Sequence, residues 1–74
     1  MRSFSVSLDS IDKVKEFVRE VSNIEGDVLL SSGRYIIDAK SIMGIFSLDL
    51  SKPITLEVED WKEEYALLLK KYLV

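Results

Sequence analysis

The chain has 74 residues, 47% of them hydrophobic, and a net charge of −3 from 10 basic and 13 acidic residues. It contains no histidine or cysteine, which excludes imidazole and thiol chemistry, disulfides and the usual zinc sites. Its basic residues do not cluster and no apolar stretch is long enough for a membrane span or a signal peptide. We therefore expect one small cytoplasmic domain over residues 1–74, with no nucleic acid or membrane partner.

The first part of the sequence predicts a strand followed by an amphipathic helix. Apolar residues alternate with serines from Ser3 to Leu8, which is the period of a strand with one buried face. Asp9 and Ser10 offer N-cap oxygens for a helix that ends near Asn23. The predicted buried face of this helix consists of residues at spacings of three and four: Ile11, Val14, Phe17, Val18 and Val21.

Two runs rich in Val, Leu, Ile and Tyr follow, at Asp27–Ser31 and Arg34–Asp38. Ser32-Gly33 between them predicts a hairpin turn in which the glycine supplies a positive φ. The next segment, Lys40–Phe46, is predicted to be a short helix capped by Ser41.

The C-terminal part predicts one more strand and one more helix. Pro53 precedes an alternating run that extends to Glu59, and Asp60 is predicted to cap the last helix. One side of that helix carries Trp61, Tyr65, Leu68, Leu69 and Tyr72. The predicted order is β-α-β-β-α-β-α, and its simplest packing is an α+β open-faced sandwich with the helices on one face of a mainly antiparallel sheet.

Carboxylates are the most numerous reactive side chains. Glu57, Glu59 and Asp60 lie close in sequence, but nothing around them predicts the apolar pocket or charged neighbour that acid–base catalysis needs. Asp9 and Asp12 are interpreted as helix-capping residues and not as a metal pair. Because the serines have no histidine to activate them and only three glycines are present, we expect neither an enzyme nor a bound cofactor.

The short helix carries more large apolar side chains than it can bury. Ile45 is predicted to face the sheet, with Leu48 following it inward. An outward apolar patch then remains, formed by Ile42, Met43 and Phe46. The alternative is that all four helix side chains belong to the core.

Ser41 has two interpretations. It is either a plain N-cap that stabilises the helix by about 1 kcal/mol, or a phosphorylation site. A phosphate there would meet the free N–H groups of the helix start and place about two negative charges beside the apolar patch.

Residues Lys40–Leu48, with the sequence KSIMGIFSL, resemble the regulatory-serine segment of the HPr phosphocarriers of the bacterial sugar phosphotransferase system. The predicted order of elements matches that family along the whole chain. The resemblance implies an HPr-like open-faced β-sandwich, with a four-stranded antiparallel sheet and three helices. In the family, the loop after the first strand carries a Gly-Ile-His-Ala-Arg-Pro type motif whose histidine is phosphorylated. Here Leu8–Lys13 contains neither that histidine nor the arginine, which implies a divergent member without histidine phosphotransfer.

The resemblance also implies a role for the segment. Ser41 matches the serine that an HPr kinase/phosphorylase phosphorylates in relatives. The patch, to which Lys40 is added, matches the surface that relatives present to phosphotransferase-system components, to the kinase and to a transcriptional regulator. The leading hypothesis is therefore a regulatory binding module in sugar transport, switched at Ser41.

Two other hypotheses remain open. The chain is alternatively a structural assembly domain that forms a homodimer, since Leu67 and Leu73 lie off the apolar stripe of the last helix. The third hypothesis is an acyl phosphate on Asp9 or Asp12, for which Lys13 is the only basic residue nearby in sequence.

Overall fold

A computed structural model describes all 74 residues, and its elements follow the order predicted from the sequence. The strands are β1 (Arg2–Val6), β2 (Val28–Ser32), β3 (Tyr35–Asp38) and β4 (Ile54–Val58). The helices are α1 (Ile11–Val21), α2 (Ile42–Phe46) and α3 (Tyr65–Leu69), and a 3₁₀ turn (Lys70–Tyr72) follows α3. None of these helices has the length and apolar character needed to cross a bilayer.

The four strands form one antiparallel sheet in the order β1-β4-β2-β3. Because side chains alternate between the two faces of a strand, residues in register form rows on one face. One row packs against the core and contains Phe4, Leu56, Leu30 and Ile37. The neighbouring row lies on the opposite, open face and contains Ser5, Thr55, Ser31 and Ile36. The predicted α+β open-faced sandwich is therefore confirmed.

The core lies between the sheet and the helices and contains 17 buried residues, none of them charged. Helix α1 contributes Val14, Phe17 and Val21, three of the five residues on its predicted buried face. The ring of Tyr72 meets that of Phe17 edge-on, with 5.2 Å between the ring centroids. This contact attaches the C-terminal turn to α1.

The start of α1 differs from the prediction at two residues, Asp9 and Ile11. Ser10 caps the helix as expected, since its Oγ accepts a hydrogen bond from the Lys13 backbone N–H at 3.1 Å. Asp9 does not cap; its carboxylate pairs with Lys13 Nζ at 3.2 Å. The predicted burial of Ile11 is wrong, because 62% of this side chain is exposed. Ile11 occupies the first helical position, and burial of α1 begins one turn later at Val14.

The β2–β3 turn is displaced by one residue from its predicted position. Ser32 is in register with Tyr35, so the two turn residues are Gly33 and Arg34. Gly33 has the expected positive φ, at +61°. A glycine at the first turn position, followed by a residue with negative φ, is typical of a two-residue β-hairpin.

The last helix begins later than the sequence suggests. Asp60 does not cap it; α3 starts at Tyr65, and the preceding Glu64 makes no side-chain capping hydrogen bond. Trp61 packs against Phe4 of β1 with 5.0 Å between ring centroids. Residues 61–64 therefore form a non-helical segment before α3, with the aromatic contact at its first residue.

The two edges of the sheet differ in whether other residues pair with them. The edge at β1 is covered by the C-terminal residues, because Ser7 N–H donates to the Tyr72 carbonyl at 2.8 Å and Val74 N–H donates to the Ser5 carbonyl at 3.0 Å. Leu73 forms an isolated bridge with Val6 between these two bonds. At the other edge, β3 has no strand beyond it.

Candidate functional site

Ser41 is held at the start of α2 by a turn that leaves β3. The Lys40 backbone N–H donates to Asp38 Oδ1 at 2.9 Å, and the Ser41 N–H donates to the Asp38 carbonyl at 3.0 Å. The Ser41 backbone is extended, and its Oγ accepts from the Gly44 N–H at 3.2 Å. The half-buried hydroxyl is thus fixed at the first turn of α2, and the predicted cap is present.

Gly44 permits α2 to lie close to β3. A Cβ at this position would approach Ser41 Oγ to 3.3 Å and the Ile37 Cβ to 3.4 Å. The first of these distances is tighter than an ordinary van der Waals contact. The glycine is therefore explained by the small space beside the capping hydroxyl and not by a left-handed backbone conformation.

The apolar side chains of α2 divide between the core and the surface. Ile45 is fully buried and Leu48, after the helix, is buried as well, as the sequence predicts. Met43 is 79% exposed and Phe46 is 43% exposed, whereas Ile42 is half-buried and packs against the edge of the core. We use the term α2 patch for Ile42, Met43 and Phe46; Met43 is its most exposed member.

The resemblance adds Lys40 to this patch, and in the structure the ammonium group of Lys40 forms hydrogen bonds within the chain. Lys40 Nζ donates to the Ile24 carbonyl at 2.6 Å and to the Gly26 carbonyl at 3.2 Å. Both carbonyls belong to the segment between α1 and β2. The lysine therefore ties this segment to the start of α2, and its charge is already engaged within the chain.

A shallow groove of about 370 Å³ extends from Phe46 to the start of α1. Its lining residues are Asp9, Ser10, Ile11, Phe46, Leu50 and Ser51. Of its three apolar members, only Phe46 is predicted from the sequence to lie on an exposed surface; Ile11 and Leu50 are not. The signal in the sequence for Ile11 is its position as the first helical residue, because helical side chains lie over the preceding turn and Ile11 has no such turn.

The groove is not an anion site, since a carboxylate and no basic side chain lines it. The nearby Asp49 accepts hydrogen bonds from the Ser51 hydroxyl at 2.6 Å and from the Ser51 N–H at 3.1 Å, and these two bonds lower the pKa of the Asp49 carboxyl. Asp12, at the first turn of α1, is exposed. The lowered pKa keeps the Asp49 carboxyl ionised, and its negative charge disfavours a phosphate at this end.

Carboxylates also gather at the far end of the sheet, where Asp27, Glu59 and Asp60 surround Gly26. Glu57 lies on the open face of the sheet, in register with Ser3 and Leu29, and lines a small depression together with Asp27 and Glu59. No three acidic side chains in the structure have the geometry needed to hold a metal ion.

Comparison with known proteins agrees with this architecture. No protein-family model and no curated protein matches the sequence significantly. Among solved structures, the chain is similar to the crystal structure of a phosphocarrier protein HPr from Bacillus anthracis strain Ames, with a TM-score of 0.66 and 28% identity. The match covers 96% of this chain and 93% of that one, so the HPr-like fold extends over nearly all of both.

Proposed function

We propose that residues 1–74 form a cytoplasmic HPr-like regulatory module that binds protein partners through the α2 patch and is switched by phosphorylation of Ser41. The observation that carries the proposal is the position of Ser41, whose half-exposed hydroxyl precedes α2 directly and is two residues from the exposed Met43. The similarity in fold to a phosphocarrier protein supports the same assignment.

Histidine phosphotransfer is not part of the proposal. The chain contains no histidine, and the groove at the start of α1 is lined by Asp9 and no cation. A phosphorylated group at that place would need positive charge to balance it. The proposed role is therefore binding and regulation, and the chain is not an enzyme.

Phosphorylation of Ser41 would change the charge of the patch. Transfer of the γ-phosphoryl group of ATP to Oγ forms a P–O bond there, breaks the bond to ADP and releases the hydroxyl proton. The product carries about two negative charges at neutral pH. Since Met43 and Phe46 present apolar surface beside it, the modified and unmodified forms would suit different partners.

The proposed partners are proteins of the kind that the sequence resemblance implies. They are an HPr kinase/phosphorylase that modifies Ser41, and a transcriptional regulator or phosphotransferase-system component that reads the patch. Met43 supports this choice, because an exposed, flexible thioether adapts to differently shaped surfaces.

The experiment that tests the switch is intact-mass spectrometry after incubation with ATP and an HPr kinase/phosphorylase. We expect one added phosphate in the wild-type chain and none in Ser41→Ala. Ser47→Ala is the matched control, because Ser47 lies at the other end of α2 and its hydroxyl donates to the Gly44 carbonyl. An ordinary HPr serves as the positive control for the kinase, and absence of phosphate on the folded wild-type chain would refute the switch.

A second candidate is an assembly domain that dimerises through α3 and is not phosphorylated. It is favoured by Leu67, which is 82% exposed, and by the partly exposed Leu73. Light scattering on concentrated protein tests it: an α3 dimer is expected to dissociate in Leu67→Lys, and a monomeric wild-type chain would rule it out.

A further inference from the structure

The outer edge of β3 differs from the opposite edge of the sheet in having nothing paired to it. At β1, the C-terminal residues form backbone hydrogen bonds with groups on the outer side of the strand, from the Ser7 N–H to the Tyr72 carbonyl and from the Val74 N–H to the Ser5 carbonyl. At β3, Tyr35 is 68% exposed and Ile36 is 67% exposed. Strand edges that must stay unpaired usually carry lysine, proline or a bulge, and β3 has none of these.

The hydrogen-bonding direction along β3 can be read from its end. The Ala39 N–H donates to the Val28 carbonyl at 2.8 Å, so the backbone N–H and C=O of residue 39 point toward β2. In an antiparallel ladder these backbone groups alternate in direction from one residue to the next. The backbone groups of residues 35 and 37 therefore also point toward β2, and those of residue 36 point away from it. Ile36 therefore offers both its N–H and its C=O to a strand added at this edge.

The sequence of this edge is complementary to itself. When a second copy of β3 is placed antiparallel about a two-fold axis at Ile36, each Ile36 lies opposite the other. In the same register, Arg34 lies opposite Asp38 at both ends, and Tyr35 lies opposite Ile37. Ile36 and Asp38 share the open face of the sheet, and Arg34 lies in the turn directly before the strand. The two isoleucines therefore meet on one face, with an arginine and an aspartate brought together at each end of the paired strands.

We propose that β3 pairs with β3 of a second copy of this chain, joining two four-stranded sheets into one eight-stranded sheet. The two Ile36 residues exchange a pair of backbone hydrogen bonds at the axis, and the two Arg34–Asp38 pairs fix the register. The interface is isologous, as a closed two-fold dimer requires. It uses neither Ser41 nor α3, so it is independent of the phosphorylation proposal and of the α3 dimer.

Sedimentation equilibrium of the full chain tests the proposal over concentrations from about 10 µM to about 1 mM, the range suited to a small interface. We expect a monomer–dimer equilibrium. Ile36→Lys places two ammonium groups face to face at the axis and should raise the dimer dissociation constant by about tenfold or more. Leu67→Lys, at an even more exposed apolar site on α3, should leave that constant unchanged.

A charge exchange tests the register directly. Arg34→Asp puts like negative charges opposite each other in its homodimer, and Asp38→Arg puts like positive charges opposite each other. Each variant alone should dimerise more weakly than the wild-type chain, and an equimolar mixture should recover dimer as a heterodimer. Circular dichroism confirms folding of each variant, since Asp38 also accepts from the Lys40 N–H.

Three results would overturn the proposal. They are a wild-type chain that remains monomeric at about 1 mM, a dimer that Leu67→Lys dissociates and Ile36→Lys does not, and a mixture of charge variants no more dimeric than its components. Recovery of dimer in the mixture supports the antiparallel register about Ile36.

Discussion

Ser41 Oγ lies 3.2 Å from the backbone nitrogen of Gly44 and 3.3 Å from the point where a Cβ of residue 44 would stand. The cap and the glycine therefore share one small space. A larger residue at 44 would press on the oxygen that caps the helix. The two positions should consequently not respond independently to substitution.

The first prediction is a coupling between these two positions. A glycine-to-alanine change inside a helix ordinarily stabilises by about 1 kcal/mol, but contact with the Ser41 hydroxyl should hold the gain of Gly44→Ala below about 0.5 kcal/mol. Ser41→Ala alone should destabilise by about 1 kcal/mol through loss of the cap. In the double variant, Gly44→Ala should recover at least about 0.5 kcal/mol of its gain. Urea unfolding of the four proteins measures this coupling, and simple additivity would contradict it.

Lys40 is predicted to act in stability and not in partner contact. Lys40→Met removes the ammonium that joins the Ile24 and Gly26 carbonyls and should lower the free energy of unfolding by about 1–2 kcal/mol. Lys15→Met is the control, because Lys15 is exposed and forms no ion pair; its effect should stay within about 0.5 kcal/mol. A Lys40→Met protein of unchanged stability would show that these contacts contribute little.

Tyr72 is predicted to govern stability at alkaline pH. Burial of its ring, and to a smaller extent the Glu20 carboxylate, raise the pKa of Tyr72 above its ordinary value of 10.0. Because the folded-state pKa exceeds the unfolded one, the contribution of the neutral phenol is complete below about pH 10 and is lost as the pH rises further. Chemical unfolding measured across this range should show a steeper loss for the wild-type chain than for Tyr72→Phe.

The same substitution should cost little at neutral pH. The buried Tyr72 hydroxyl lies beside the Glu20 carboxylate, but the pair does not reach good hydrogen-bond geometry. Phenylalanine therefore removes a poorly satisfied polar atom while keeping the edge-on contact with Phe17. We expect the free energy of unfolding of Tyr72→Phe to equal or exceed that of the wild-type chain. A loss above about 1 kcal/mol would mean that the hydroxyl is hydrogen-bonded in solution.

Met43 is predicted to contribute to recognition alone. Because most of its side chain is exposed, Met43→Glu should change stability by no more than about 0.5 kcal/mol. If the kinase docks on the α2 patch, the same change should slow phosphorylation of Ser41 by about tenfold or more. Leu67→Glu is the control outside the patch, and an equal loss in both variants would point to a general charge effect.

Local patterns were sufficient to predict the elements and much of the core. The alternation in β4 and the spacing of Val14, Phe17 and Val21 are periodic signals, and the structure buries these residues as expected. The caps at Ser10 and Ser41 are likewise local, since each involves an amide only three residues away. Such features need no knowledge of distant parts of the chain.

The structure differs from the sequence predictions where contacts between distant segments determine the local conformation. Periodicity places Ile11 on the buried face of α1 but does not show along what length of the helix other elements pack against that face. The delayed start of α3 depends on the contact of Trp61 with Phe4, which is 57 residues earlier in the sequence. The bonds of the Lys40 ammonium group also depend on a distant segment, because the carbonyls that accept them belong to Ile24 and Gly26.

The strand order has a consequence for how the molecule forms. β4 lies between β1 and β2, so β1 has no strand to pair with until β4 is present, whereas β2 already pairs with β3. During synthesis, the first 53 residues can make the β2–β3 hairpin and transient helix, but β1 stays unattached to the sheet. Because the closing contacts span long stretches of sequence, we expect folding to be late and all-or-none, with a nascent chain that matures only after residue 58 has emerged from the ribosome.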